Sequence, residues 1–212
     1  MAKKKLNILI TAGGTREYID PVRYISNASS GRMGYAIARA AIRAGHAVTL
    51  ISAPTSLKPP KGTNVIHVVT SEDMFRAVKT EFAVCDCLIM AAAVSDYKPA
   101  VHSKTKIKKE QTVLSLNLKP TQDILKWAGQ NKKKGQILVG FALEDKNLLE
   151  NAKKKLKSKN LDMIVANEPT AIGSDTSTVH IKTTTADWQI HKDLTKTASA
   201  KHIFNQIFRL NR

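Results

Sequence analysis

The chain has 212 residues and a net charge of +17, from 34 Lys and Arg against 17 Asp and Glu. That length suits one α/β domain over 1–212 with a full core. No run of eighteen apolar residues could cross a bilayer, and Met1-Ala2-Lys3-Lys4-Lys5 lacks the apolar region of a signal peptide. Aromatics are only 5%, and the lysines near 3–5, 104–109, 132–134 and 153–159 do not interleave with them as a base-stacking surface requires. The positive surplus therefore reads as solvated faces and an attraction for small polyanions such as nucleotides, with no nucleic-acid or membrane partner. Cys85 and Cys87 lie two apart in an expected strand, so they should share a face as buried, reduced thiols. Near neighbours on one strand rarely bridge, and no second cysteine pair offers a metal site; the expected location is cytoplasmic.

The first expected element is a strand over 6–11. Residues 13–34 follow as Gly-Gly-Thr-Arg-Glu-Tyr-Ile-Asp-Pro-Val-Arg-Tyr-Ile-Ser-Asn-Ala-Ser-Ser-Gly-Arg-Met-Gly and lead into a helix over 32–44, ended by Gly45. A polar loop joining strand to helix is where α/β proteins place phosphates, because backbone N–H groups and the positive end of a helix dipole face the anion. Plain connections take a handful of residues, so this length marks a binding site. Asp20-Pro21 starts a turn, while Ser29-Ser30-Gly31 brings hydroxyls and a permissive backbone to the helix start. Arg23 and Arg32 are planar, multidentate donors suited to phosphate or carboxylate. Asn27 either polarises a carbonyl while fixing an amine, or merely turns the backbone.

Strands are expected next over 47–52 and 64–69, a helix over 72–82 and a strand over 85–92. Leu88-Ile89-Met90-Ala91 does not alternate, as expected when helices cover both faces of a parallel sheet. Met90, Ala91, Ala92 and Ala93 end that strand with little side-chain bulk, which leaves room for a ligand. Asp96 could accept hydrogen bonds from a ribose or base, hold a metal ion, or close an Asx turn. Residues 95–118 break the alternation. The stretch to Glu110 is polar and lysine-rich, contains Pro99, and precedes a strand over 112–118; it reads as a flap over the site or a dimer arm. In an extended arm Lys106 and Lys108 share one face and Ile107 the other, so a lysine could lie on a triphosphate or the run could simply be solvated.

A helix over 122–130, a strand over 136–141 and a helix over 145–159 continue the pattern, with strands over 162–166, 178–183 and 187–190 and a last helix over 196–209. Phe141 either stacks on a base or packs. Lys155 and Lys159 share a helix face, toward a ligand or complementing the dipole. The fold class is α/β: a Rossmann-like, doubly wound, mostly parallel sheet with an inserted flap or dimerisation arm. Ligands belong outside its carboxyl strand ends.

One family joins these segments in this order: Ile10-Thr11-Ala12-Gly13-Gly14-Thr15, Ile19-Asp20-Pro21-Val22-Arg23, Ser26-Asn27-Ala28-Ser29-Ser30-Gly31 with Met33-Gly34, and Ala91 to Asp96. Lys106-Ile107-Lys108-Lys109, Asp123-Ile124-Leu125, Val139-Gly140-Phe141-Ala142 and Ala166-Asn167 complete it. Over nearly the whole chain the sequence closely resembles the phosphopantothenoylcysteine synthetases (phosphopantothenate–cysteine ligases), the synthetase half of the bifunctional bacterial coenzyme A enzyme. The resemblance implies a ligase that activates the carboxylate of 4′-phosphopantothenate with CTP, releasing pyrophosphate. The L-cysteine amine then attacks the acyl-cytidylate and releases CMP. Mg²⁺ would screen the triphosphate.

Matching positions imply that Asn27 grips the acyl carbonyl and that Lys106 contacts the phosphates, the two catalytic positions. Arg23, Ser29, Ser30, Gly31 and Ala93 would surround the phosphopantothenoyl group. Met90, Ala91, Ala92, Asp96, Lys106, Gln122, Asp123, Ile124, Leu125, Phe141, Lys155 and Lys159 match nucleotide-binding positions. The family also implies a homodimer whose flap closes over the intermediate. Its flavin-dependent decarboxylase half has no counterpart in these residues, so no flavin is expected here and a decarboxylase is a candidate partner domain or protein. Two departures stand out: Thr121-Gln122-Asp123-Ile124 where the family usually has Asn-Pro-Asp-Ile, and Leu143-Glu144-Asp145 where it has Ala-Glu-Thr.

The rival class is a nicotinamide-dependent Rossmann oxidoreductase, suggested by strand, glycines and helix. Its second strand should end in an acid for the ribose, but this one ends Ile51-Ser52-Ala53. No tyrosine has a lysine four residues on: Tyr18, Tyr24, Tyr35 and Tyr97 precede Val22, Ala28, Arg39 and Val101 at that spacing.

Overall fold

The computed structural model describes residues 5–109 and 113–210. In chain order, β1 (Asn7–Ala12) leads to a hairpin of β2 (Arg16–Tyr18) and β3 (Tyr24–Ser26), then α1 (Arg32–Arg43), β4 (Ala47–Ser52), β5 (Thr63–His67) and α2 (Ser71–Phe82). Next come β6 (Cys87–Met90), β7 (Tyr97–Pro99), β8 (Leu118–Pro120), α3 (Ile124–Asn131), β9 (Ile137–Leu143) and α4 (Leu148–Ser158). The chain then forms β10 (Met163–Asn167), a 3-10 turn (Pro169–Ala171), β11 (Thr176–Thr183), β12 (Gln189–Thr195) and α5 (Lys196–Leu210).

The main sheet runs β12-β11-β10-β9-β6-β1-β4-β5. From β5 to β10 every pairing is parallel, whereas β11 and β12 join antiparallel at one edge. Ranked by chain position, the parallel strands lie 3-2-1-4-5-6, the Rossmann order. The winding reverses between β1 and β6, so a crevice opens beyond Ala12 and Met90.

Strand alternation sends side chains to two cores. Ile8, Ile10, Cys87, Ile89, Val139 and Val165 face α1 and α5, where Tyr35, Ile37, Ile203 and Ile207 are buried. Leu9, Leu88, Met90, Leu138 and Ile164 face α2, α3 and α4, with Met74, Val78, Ala128 and Leu156. Both sheet faces are covered, which is why the strands read as continuous apolar runs. Gly34 permits the closest approach between layers, since a Cβ there would stand 2.6 Å from that of Ala12. At the start of α2, Thr70 and Asp73 form a reciprocal capping box.

Three expectations change. The polar loop after β1 contains the β2–β3 hairpin, whose three-residue strands are too short to show a period. The strand expected over 112–118 does not form at 113–117; pairing starts at Leu118, and residue 112 lies outside the described residues. β8 pairs instead with β7 to close the base of the arm. Finally, β6 begins only at Cys87, so Cys85 lies in the preceding turn and joins the opposite core from Cys87. Both thiols are free and buried; burial pushes Cys85 up to about 12 and Cys87 well above the ordinary value.

Candidate active site at the strand ends

A pocket of about 570 Å³ opens at the carboxyl ends of β6, β9 and β10 and at the start of α1. That volume suits a ligand of nucleotide or pantetheine size. Beyond Met90 the chain runs past the sheet, and hydroxyls from neighbouring segments take over its backbone bonds. Ala92 N–H donates to Thr11 Oγ1 at 3.1 Å, and Ser95 N–H to Thr15 Oγ1 at 2.9 Å. Thr121 Oγ1 donates to Ser95 O at 2.6 Å, and Thr121 N–H to Asp96 O at 2.9 Å. Ala91, Ala92 and Ala93 are thereby displayed as pocket wall. The Thr121 hydroxyl thus supports this wall.

Asn27 reaches the same wall. Its Nδ2 donates to Ala93 O at 3.2 Å, an oxygen that also accepts from Thr15 N–H. The amide keeps its Oδ1 and one N–H for a ligand. Ser29, Ser30 and Gly31 line the pocket just before α1. Gly31 caps that helix at φ 77° in the left-handed region, and the first turn has neither a side-chain cap nor an acidic residue. The positive end of the dipole is thus left to the pocket.

The opposite wall comes from α3, β9 and α4, with Gln122, Ile124, Leu125 and Phe141 lining it. Asp123 caps α3 through Lys126 N–H and pairs with Lys159 at 2.9 Å. Burial pushes its carboxyl up, but the Lys159 and backbone bonds outweigh that and leave it below its ordinary value. Lys155 Nζ donates to Phe141 O at 2.8 Å. Burial pulls this ammonium below the ordinary lysine range, and neighbouring Lys159 adds to the effect. Asp96 is exposed at the rim between the walls.

Arg23 and Lys106 are not among the pocket-lining residues. Arg23 pairs with buried Asp20 and donates from Nη2 to Ile107 O at 2.6 Å. Ile107 N–H donates to Asp20 Oδ2 at 3.1 Å, and Ser103 N–H to Ile19 O at 2.9 Å. The arm thus docks on the turn of the hairpin, with Ile107 half-buried and Lys106 and Lys108 exposed. The Arg23 guanidinium holds the Asp20 carboxyl well below the usual carboxylate range.

Pocket residues outside the predicted site include Asn167, the 171–174 loop, Arg32 and Lys196. Asn167 and Arg32 carried a signal, one in the Ala166-Asn167 motif and one as a loop cation. Lys196 carried none. Among the described residues no group of three or more His, Cys, Asp or Glu could cage a metal, and no helix is long and apolar enough to span a membrane.

Fold and pocket define a Rossmann-like α/β protein with its ligand pocket at the switch point of a mostly parallel sheet. The chain belongs to the family described as the DNA/pantothenate metabolism flavoprotein C-terminal domain, which it matches over residues 3–210. It is 48% identical over 180 residues to the coenzyme A biosynthesis bifunctional protein CoaBC of Bacillus subtilis, covering 82% of this chain and 44% of that protein. The CoaBC protein of Escherichia coli K12 is 44% identical over 185 residues, covering 84% and 46%. The chain thus spans about half the length of these relatives. The crystal structure of the C-terminal domain of a CoaBC protein matches with a TM-score of 0.85 at 41% identity, covering 97% of this chain and 95% of that one.

Proposed function

We propose that this chain joins 4′-phosphopantothenate and L-cysteine through an acyl-cytidylate, consuming CTP and releasing pyrophosphate and CMP. The observation that carries the reading is the wall at Ala91–Ala93, with Asn27 bonded to Ala93 O on one side and the Lys155–Lys159 face on the other. The bifunctional coenzyme A proteins that the chain resembles support it. So does the absence of an acid at the end of β4, where Ser52 Oγ is instead hydrogen-bonded to Tyr35 OH; this disfavours a nicotinamide site.

In this reading the substrate carboxylate attacks the α-phosphorus of CTP, and the α–β phosphoanhydride bond breaks with pyrophosphate leaving. Lys155 and Lys159 hold the nucleotide, Phe141 packs on the base, and Lys106 moves with the arm onto the phosphates. The free Asn27 N–H then donates to the acyl oxygen as negative charge develops there, while the cysteine amine attacks the acyl carbon and CMP departs. Exposed Asp96 suits Mg²⁺, which binds one or two carboxylates together with substrate phosphates, and the bound ion would neutralise triphosphate charge. The domain itself supplies no flavin chemistry, and a decarboxylase is the expected partner. A homodimer is part of the proposal: Val101, Val113, Leu114 and Leu118 are exposed on the arm, an apolar surface a second copy would cover.

The test supplies phosphopantothenate, cysteine, Mg²⁺ and either CTP or ATP, and follows pyrophosphate and nucleoside monophosphate. Cysteine-dependent amide with CTP is the expected outcome. No such product with either nucleotide overturns the reading.

A further inference from the structure

A second groove, of about 290 Å³, lies between α1 and α5 and shares no lining residue with the active-site pocket. Arg39 and Arg43 line it from α1, and Lys201, Phe204 and Asn205 from α5. The two arginines stand four apart, so they share a helix face and repel one another. Arg43 alone would suit the carboxyl end of the α1 dipole. Arg39, a turn earlier, and Lys201, on the other helix, gain nothing from it. Among the described residues no carboxylate pairs with any of the three.

The helices on the other face of the sheet are built differently. α1 and α5 together carry Arg32, Arg39, Arg43, Lys196, Lys201 and Arg209 and no Asp or Glu. α2 and α4 interleave acids, and pair Arg76 with Asp73 and Lys154 with Glu150. Those cations are answered on their own helix, whereas the groove cations are left for an anion. Phe204 is buried, so its ring does not stand out to stack a base. A compact, charge-dense anion fits better than a nucleic acid strand.

We propose that the groove between α1 and α5 binds a small polyphosphate, a diphosphate or longer, at a site separate from the active-site pocket. Two guanidinium forks and one ammonium match the several oxygens and the charge of a diphosphate, and exceed what a single phosphate can balance. The Asn205 amide adds a donor, and the volume holds such an anion with little besides. Once bound, the anion offsets the Arg39–Arg43 repulsion and ties α1 to α5. The site needs none of the ligase chemistry.

Amide-resolved NMR titration of the intact protein with inorganic pyrophosphate and orthophosphate tests this, in about 0.15 M salt to screen diffuse attraction. Pyrophosphate should shift the amides of Arg39, Arg43, Lys201 and Asn205 saturably, and bind there at least about tenfold more tightly than orthophosphate. Lys201→Gln, and Arg39→Gln combined with Arg43→Gln, should each weaken that binding about tenfold to a hundredfold, while Lys201→Arg retains it. Shifts at the active-site amides of Gly31 and Lys155 should keep their own affinity in these variants. Lys153→Gln combined with Lys157→Gln removes the same charge from exposed positions on α4 and should leave the groove unaffected. Equal weakening by the α4 change, or shifts that do not saturate, would mean that only the overall +17 charge attracts the anion, and the site would be wrong. Shifts confined to the active-site amides overturn it too, and orthophosphate binding as tightly as pyrophosphate overturns the polyphosphate class. Lys201 is exposed, so Lys201→Gln keeps the test standing if the double arginine variant fails to fold.

Discussion

The residues placed by the strand ends and those placed by the arm are held by different means. Ala93 follows β6 on a segment tied by Thr11, Thr15 and Thr121, and Asn27, just after β3 of the hairpin, bonds to its carbonyl. Lys106 rides on an arm whose described contacts with the hairpin turn run through Ser103 and Ile107, and much of whose surface is apolar and exposed. The strand-end half is held by hydrogen bonds from several neighbouring segments. The arm half depends on a docking contact centred on one buried carboxylate, Asp20.

Substitutions in the two halves should therefore separate the proposed half-reactions. The largest effect is expected from Asn27→Ala, which removes one donor from the developing oxyanion. Single-turnover amide formation should fall about a hundredfold to a thousandfold while pyrophosphate release stays near normal. Equal loss of both steps would remove Asn27 from the aminolysis. Lys106→Gln should slow both steps together, by about tenfold to a hundredfold, with an unchanged melting temperature because the side chain is exposed. Normal pyrophosphate release in that variant would break the link between arm and triphosphate.

The smallest effect is expected from Asp20→Asn, which should raise hydrogen exchange at the Ile107 amide and cost only a few-fold in turnover. If exchange did not change, Asp20 would not be what holds the arm. The wild-type contact also has a defined pH sense. The depressed Asp20 pKa means its charge is fully present above the ordinary aspartate value of about 3.9 and is lost only as pH falls through the lower folded value. Ile107 protection should be flat across neutral pH and disappear only in strong acid.

Much of the sheet was legible because its signals are local. Buried runs such as Leu88-Ile89-Met90, the glycine after α1 and the small residues after β6 each report their own surroundings. The motif segments also named most of the pocket, from Asn27 and Ser29–Gly31 through Ala91–Ala93 to Lys155 and Lys159. The β2–β3 hairpin escaped because three-residue strands carry too little period. The 112–118 expectation failed at 113–117 because Val113, Leu114 and Leu116 look strand-like but have no neighbouring strand to pair with among the described residues.

By itself, then, the sequence determined the alternation of layers and the doubly wound class, since these follow from periodicity and residue chemistry over short spans. Only the tertiary structure decided that Cys85 and Cys87 face opposite cores, that Asp20 and Arg23 anchor Ile107, and that Lys196 lines the pocket. Those outcomes depend on where a strand starts and on which distant donor reaches a given acceptor. Contacts across such separations leave no local pattern, because packing of the sheet and its helices is what brings the partners together.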